Sequence, residues 1–403
     1  MSDLSSTLTS DATPLKVGVA FMSILAALMA FTSLSTDIYL PAMPTMAREL
    51  QGNAELTITG FLIGFTIAQL LWGPISDKVG RRIPLFIGMI IFVIGSAGCA
   101  MSSSIEQIVF WRIFQAFGAC TGPMLARAMV RDLFSRTRSA QALSTLTIIM
   151  AIAPIVGPSL GGVMIKFSSW HSIFWLLTVI GTLMFVSLCW LPETLPIERR
   201  AKTSIFTSFS NYYHLLKSKE YMRYTLCVTL FYVSAYAFIA GSPFVYIDYF
   251  HIDSQYYGML FGVNIIGVMI VSFCNKSLVK RHSLDALLKV ATFIAMVGAV
   301  TLAIAVYFEV GGMWIIVAMV LMFFSMNGII AASSTAAALD EASHIAGSAS
   351  AMTGALQYGS GIISSLLLTV FRDGTPWTMA WIMALFTTLC ACTVIFKSQN
   401  VSL

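Results

Sequence analysis

Stretches of about 20 mostly apolar residues recur along the whole sequence, and a helix of that length crosses the roughly 30 Å hydrocarbon core of a bilayer. Composition agrees, because 58% of the 403 residues are hydrophobic and only 10% are charged. Soluble domains carry about a quarter of their residues as charges. The sequence therefore predicts an all-α membrane protein with about twelve transmembrane helices. The predicted spans lie near 17 to 40, 57 to 76, 84 to 102, 106 to 130, 140 to 165, 171 to 191, 222 to 247, 256 to 275, 286 to 308, 313 to 334, 346 to 370 and 377 to 396.

Basic residues are concentrated on one side of the predicted membrane. Most lysines and arginines between spans follow spans 2, 4, 6 and 8, whereas the opposite connections contain Arg48, Lys166 and Arg372. By the positive-inside rule this asymmetry predicts that both termini are cytoplasmic. The apolar stretch after the polar first 16 residues is too long for a cleaved signal peptide, so we expect the first span to be retained.

The longest polar connection runs from Pro192 to about Glu220. It predicts two six-helix bundles, residues 1–191 and residues 222–403, joined by a cytoplasmic linker over residues 192–221. Transporters built from paired halves bind substrate near the bilayer midplane, where the halves meet. Candidate functional residues are therefore sought on helix faces that could line such a cavity.

The turn after span 2 reads GPISDKVGRR over residues 73 to 82 and resembles the cytoplasmic signature of the major facilitator superfamily. The resemblance implies the major facilitator fold and a gating role for this turn. Alternatively, its charges only set topology, although the positive-inside rule requires neither the glycines nor the aspartate. The pattern G-x-x-x-D-[RK]-x-G-[RK]-[RK] is matched at Gly73, Asp77, Lys78, Gly80, Arg81 and Arg82.

Span 5 contains APIVGPSLGG over residues 153 to 162, which resembles the motif of drug:proton antiporters in the same superfamily. The resemblance implies an exporter. Glycines four residues apart on one helix face permit close helix contact, and internal prolines can bend the helix, so ordinary close packing is an open alternative. The motif residues are Pro154, Gly157, Pro158, Gly161 and Gly162.

Asp37 is the one acidic residue well inside a predicted span. A weakly polar cavity disfavours the charged form of a carboxylate, which could take up a proton in one access state and release it in another. The segment STDIYLPAMP over residues 35 to 44 resembles the first-helix motif of the bicyclomycin and chloramphenicol resistance subfamily, which implies that Asp37 carries the proton. Alternatively, Asp37 is a permanently ionised partner of Arg112 or faces outer water near Pro41.

Arg112 begins the segment RIFQAFGAC, which resembles the fourth-helix pattern of the superfamily. Because an arginine at a helix centre costs about 2.5–3.5 kcal/mol on insertion scales, we expect Arg112 to face the bundle interior and to take part in proton coupling or helix bonding. Snorkelling to the outer interface is the alternative. Aromatic faces bind flat or cationic drugs by stacking and cation–π contact. The predicted substrate-cavity residues are Tyr39, Gln115, Tyr232 and Tyr236.

The sequence offers no constellation for catalysis or for a cofactor. The cysteines fall in apolar spans without metal or redox spacing, and neither a P-loop nor an H-E-x-x-H motif occurs. We therefore expect a transporter and not an enzyme, without metal or cofactor and without nucleic acid as a partner. The resemblance implies drug:proton antiport of amphipathic antibiotics by a monomer in lipid of the bacterial inner membrane. The alternatives are an exporter of one metabolite, such as a sugar, amino acid or siderophore, and a channel or receptor, which needs no proton gradient.

Overall fold

The computed structural model describes residues 19–200 and 205–395, apart from the side chains of residues 136, 137, 140, 144, 205–208 and 344. The expectations for the first 16 residues, for Lys202 and for the His344 side chain lie outside this part of the chain. Every regular element within it is helical. The first half contains α1 (Val19–Asp37), α2 (Met43–Glu49), α3 (Glu55–Val79), α4 (Arg82–Ala100), α5 (Ile105–Ala119), α6 (Thr121–Leu133), α7 (Arg136–Phe167) and α8 (Trp170–Ser187). The rest contains α9 (Ile205–Lys217), α10 (Lys219–Pro243), α11 (Ser254–Leu278), α12 (Leu284–Tyr307), α13 (Gly312–Ser325), α14 (Asn327–Glu341), α15 (Ala346–Val370) and α16 (Trp377–Ile395).

In the described part of the chain, 10 helical segments are long and apolar enough to cross a membrane. The two other predicted spans, 106 to 130 and 346 to 370, are helical as well. The first is divided at Cys120 into α5 and α6, which have 15 and 13 residues. The second is α15, whose 25 residues include many serines and glycines and are therefore less apolar. The chain is thus a multi-pass, all-α membrane protein.

Polar residues at helix starts explain where several spans begin. Ser104, Asp253 and Ser283 precede α5, α11 and α12, and each side chain accepts a hydrogen bond from a backbone N–H in the first turn. Such caps satisfy donors that have no partner inside the helix. Two of these residues, Ser104 and Asp253, lie on the side of the bundle opposite the turn over residues 73–82, and Ser283 lies on the same side as that turn. We call the side that bears the turn the motif side.

The two halves meet along two pairs of helices, α3 with α15 and α7 with α11. Small residues permit the close approach. A Cβ at Gly361 of α15 would lie against Leu62 and Tyr236, and a Cβ at Gly258 of α11 would overlap the backbone of Ser159 in α7. Two cavities that are lined by both halves lie between these two contact lines.

The polar connection between the halves is more structured than its composition indicates. It contains α9, where Tyr212 and Leu215 are buried. The Tyr212 hydroxyl donates a 3.0 Å hydrogen bond to the carbonyl oxygen of Leu70 in α3, and Asn211 contacts Ser348 of α15 at 3.4 Å. Burial raises the pKa of Tyr212 to about 12. This part of the linker is therefore docked onto both halves.

Candidate functional site

Asp37 is the last residue of α1, and its side chain is 7% exposed. The hydroxyls of Ser35 and Thr36 donate to the Thr32 carbonyl oxygen at 2.8 and 2.9 Å, and a 3-10 turn that contains Pro41 follows. α1 therefore ends at Asp37, the residue that bears the carboxylate. Asp37 lines a cavity of about 260 Å³ between the halves, which we call the Asp37 cavity.

The Asp37 cavity brings the predicted acid together with two predicted aromatic residues. Tyr232 and Tyr236 of α10 line it opposite α1, with their ring centroids 6.0 Å apart. Sequence reasoning did not find two further lining residues, Asn327 of α14 and Tyr358 of α15. Helices from both halves therefore build this space, as expected for a cavity at the interface of paired bundles.

A second and larger space, which we call the wide cavity, adjoins the first on its motif side. Its volume is about 620 Å³, and it shares Thr147, Met150, Tyr232 and Tyr358 with the Asp37 cavity. Drug-sized ligands occupy pockets of roughly 300–1,000 Å³. Arg127 of α6 also lines the wide cavity. The signal for Arg127 was present in the sequence, since this cation falls inside the predicted span 106 to 130.

Arg112 lies in the interior of the first half, and its side chain is fully buried. Its Nη1 donates to the Ser35 carbonyl oxygen at 3.1 Å and to Gln115 Oε1 at 2.6 Å. The guanidinium carbon lies 4.2 Å from the Tyr39 ring centroid and 4.4 Å from that of Phe61, so two aromatic faces compensate for the missing water. Within the described residues Arg112 and Asp37 form no ion pair, and the complete burial of Arg112 rules out snorkelling in this structure.

Two of the four predicted cavity residues lie elsewhere. Tyr39 and Gln115 are fully buried around Arg112, and neither is among the residues that line the cavities. The Tyr39 hydroxyl bonds Thr57 at 3.2 Å, and Gln115 Nε2 donates to Ser96 at 2.8 Å. Their polar groups are satisfied inside the first half, so these residues orient Arg112 and do not face the space between the halves.

The glycines of the span 5 motif hold α7 against the backbone at Asp37. A Cβ at Gly161 would overlap the Ile38 carbonyl oxygen, and one at Gly157 would lie 3.4 Å from the Ile38 nitrogen and 3.5 Å from the Asp37 Cβ. Gly162 faces the other way, where a Cβ would overlap the Ser254 carbonyl oxygen of α11. Of the prolines, Pro154 lines the Asp37 cavity and Pro158 is buried. One helix therefore contacts both the acid-bearing segment and the second half.

On the motif side, Arg81 is the centre of an ion-pair cluster. Its Nη1 contacts Asp77 at 2.6 Å and its Nε contacts Asp132 of α6 at 2.9 Å. This places the predicted gating turn against the end of α6. Gly73 lines a cavity of about 370 Å³ at this side together with Asp77 and Arg81, and Lys78 is exposed.

Glu193 completes the turn from a position that sequence reasoning did not identify. Its carboxylate accepts from the backbone N–H groups of Arg81 at 2.9 Å and Arg82 at 3.1 Å. Gly80, at φ 101°, leaves room for this carboxylate, since a Cβ there would lie 2.5 Å from Glu193 Oε2. Burial opposes ionisation, but these bonds and those from Thr194 and Leu195 outweigh it and lower the pKa of Glu193.

Contacts between the halves close the side opposite the motif. Arg48 pairs with Asp248 at 2.7 Å, and Lys166 pairs with Asp253 at 3.4 Å. The wide cavity and the 370 Å³ cavity lie on the motif side instead, and their lining includes the exposed residue Ser350. In this conformation the wide cavity, which shares lining residues with the Asp37 cavity, therefore lies on the motif side of Asp37.

These features define a polytopic helical transporter, with a buried carboxylate at a cavity between two helical halves. Comparison with known proteins gives the family: residues 25–365 match the Major Facilitator Superfamily, and the chain belongs to it. An uncharacterized MFS-type transporter of Bacillus subtilis, YdgK, is 35% identical over 91% of this chain and 92% of the relative. A bicyclomycin resistance protein homolog of Haemophilus influenzae is 27% identical over 93% and 94%. Multidrug resistance protein D of Escherichia coli is 27% identical over 92% and 95%.

Solved structures agree on the fold. The nucleoside transporter NupG superposes with a TM-score of 0.73 at 14% identity, over 92% of this chain and 99% of that chain. A D-xylose-proton symporter superposes with a TM-score of 0.71 at 15% identity, over 94% and 97%. The relatives confirm the resemblance to the bicyclomycin-resistance group, and the family makes the chain a transporter and not an enzyme.

Proposed function

We propose that this chain exports amphipathic drugs in exchange for protons. The observation that carries the proposal is the position of Asp37, a buried carboxylate that lines the same cavity as Tyr232 and Tyr236. The names of the relatives support it, since one is a bicyclomycin resistance protein homolog and another is a multidrug resistance protein.

In this mechanism Asp37 binds the proton and the cavities bind the drug. From the motif side a drug enters the wide cavity and reaches Tyr232, and its binding favours release of the proton from Asp37. Access then switches to the opposite side, where Asp37 is reprotonated and the drug leaves. Arg112 fixes the backbone before Asp37 through the Ser35 carbonyl. The contacts of Arg48 and Lys166 stabilise the closure opposite the motif side, and the Arg81 cluster holds the gating turn against α6.

The proposal extends to topology and assembly. Residues 1–191 and 222–403 act as the two moving units, joined by residues 192–221, and a monomer contains the whole transport path in lipid. The motif side faces the cytoplasm of a bacterial inner membrane, with both termini on that side. The basic residues near the turn support this orientation through the positive-inside rule.

The test is drug uptake into proteoliposomes with an imposed pH gradient. Wild-type protein should move drug against its gradient when protons flow the other way, and Asp37→Asn should abolish this transport. Glu106→Gln is the matched control, because Glu106 is exposed in the first turn of α5 and lines neither cavity. Intact proton-driven transport by Asp37→Asn would refute the assignment.

A further inference from the structure

Arg127 places a positive charge on the wall of the wide cavity. It lies on α6 on the same face as Pro123 and Met124, which line the same cavity, whereas Leu125 and Met129 on the opposite face of the helix are buried. The helix thus turns the Arg127 side chain toward the wide cavity, almost two turns before it ends at Leu133.

Several other basic side chains near the interface of the halves have ion-pair partners. Arg48 pairs with Asp248, Arg81 with Asp132, and Lys166 with Asp253. In the part of the chain that the structure describes, the Arg127 guanidinium has neither an ion pair nor a hydrogen bond to another residue. Because Arg127 is exposed and lines a cavity large enough for a drug, its guanidinium is available to a ligand that enters this space, which makes it a candidate ligand site.

The charges that line the two cavities are few. Asp37 is the acidic residue of the Asp37 cavity, and Arg127 is the basic residue of the wide cavity. The aromatic residues shared by both cavities, Tyr232 and Tyr358, lie between them. A ligand that spans both spaces would meet a carboxylate at one end, aromatic rings in the middle and a guanidinium at the other end.

We propose that Arg127 is an anion-recognition subsite and that the transporter prefers amphiphiles that carry a carboxylate or a similar anionic group. An arginine guanidinium matches a carboxylate with two parallel donors. Gln69, Gln357 and Thr335 line the same cavity and offer further donors around such a group. The aromatic body of the ligand lies along Tyr232 and Tyr358. This inference rests on the proposed drug export, for which it names the substrate class.

The experiment compares two dyes that differ in one group: a rhodamine with a free benzoate carboxylate, and the methyl ester of the same dye. Binding to the purified full-length protein in detergent is measured by fluorescence anisotropy at neutral pH. Wild-type protein should bind the carboxylate dye more tightly than the ester. Arg127→Gln should weaken carboxylate binding roughly tenfold, as expected for the loss of one charge-assisted hydrogen bond, and should change ester binding less than about twofold, within the range of near-neutral contacts. Arg127→Lys should retain only part of the preference, because lysine keeps the charge but not the two parallel donors.

Arg138→Gln is the control, because Arg138 is an exposed cation on the same side of the membrane that lines neither cavity. Equal binding of both dyes to wild type, or no binding of the carboxylate dye, would overturn the subsite, and this comparison needs no variant. An equal loss of affinity for both dyes in Arg127→Gln would also overturn the subsite, because it would assign Arg127 a structural role. Proton-driven transport of a neutral drug tests the export proposal separately: if it persists while the dye preference is absent, only the subsite fails.

Discussion

The Arg112 guanidinium donates a 3.1 Å hydrogen bond to the carbonyl oxygen of Ser35, two residues before Asp37. The carbonyl belongs to the last turn of α1, so the bond ties α5 to the segment that positions the carboxylate. Gln115 accepts a second bond from the same Nη1 at 2.6 Å. A cation thus acts on the acid through the backbone, without touching it.

Arg112→Lys should lower both stability and proton-coupled export. A lysine retains the charge, but its single ammonium cannot reproduce the planar contacts to Ser35, Gln115 and the Tyr39 ring. We expect a loss of about 1.5–3 kcal/mol in the free energy of unfolding, the size of a hydrogen bond to a charged group. Thermal unfolding in detergent and proteoliposome transport measure the two effects. Arg138→Lys should change neither, and an Arg112→Lys protein with wild-type values in both assays would contradict the role of this bond.

Gly161→Ala should destabilise the protein far more than Gly157→Ala. The new methyl group would overlap the Ile38 carbonyl oxygen at position 161, but would make ordinary contacts of 3.4–3.6 Å at position 157. Overpacking of this kind costs about 1–3 kcal/mol. Both substitutions replace glycine by the same better helix former, so each is the control for the other. Equal melting temperatures for the two variants would show that α7 does not pack on α1 as described.

Tyr232→Ala should weaken drug binding roughly three- to tenfold, since aromatic contacts contribute about 0.5–1.5 kcal/mol beyond area burial. Tyr232 lines both cavities. Tyr256→Ala is the control, because Tyr256 of α11 is 51% exposed and lines neither of them. Equilibrium binding to purified protein measures the effect. If Tyr39→Phe weakened binding as strongly as Tyr232→Ala, the drug would lie nearer to Arg112 than the cavities indicate.

The gating turn should be sensitive to acid through Glu193. Hydrogen bonds from four backbone N–H groups, which outweigh burial, lower the pKa of this carboxyl below its ordinary value of 4.5. A pKa that is lower in the folded state adds stability above the unfolded value, and this stability is lost as the pH falls through the folded value. The melting temperature of wild type should therefore fall more steeply below pH 4.5 than that of Glu193→Gln. Parallel curves for the two proteins would exclude this linkage.

Single charged residues in apolar spans proved to be the most informative sequence signals for the site. Asp37 could be assigned to an interior face because a lipid-facing carboxylate is too costly, and the structure places it at a cavity with Tyr232 and Tyr236. The same reasoning applied to Arg127 would have found the cation of the wide cavity. Near the cytoplasmic end of a predicted span, however, the positive-inside rule alone accounts for an arginine. The sequence therefore does not distinguish a functional arginine there from one that only sets topology.

The sequence does not predict which polar residues form hydrogen bonds with one another in the folded chain. The motifs place Tyr39 close to Asp37 and Gln115 one turn after Arg112, but they do not predict that the polar groups of these residues bond Thr57 and Ser96 within the first half. Glu193 lies in a polar connection with no pattern of its own, and its contact with the Arg81 turn depends on tertiary packing. Such long-range contacts have no local signature, so only the assembled fold reveals them.

The docked helix α9 makes the covalent link between the halves partly redundant. Tyr212 is tied to α3 and Asn211 to α15, so α9 contacts both halves by side-chain bonds. A chain cut by a protease directly after Arg200 should therefore stay assembled, and two separately produced fragments divided there should complement each other in the membrane. The connection would then ensure that both halves are synthesised in equal amounts as one polypeptide. Non-covalent contacts would hold the assembled transporter together.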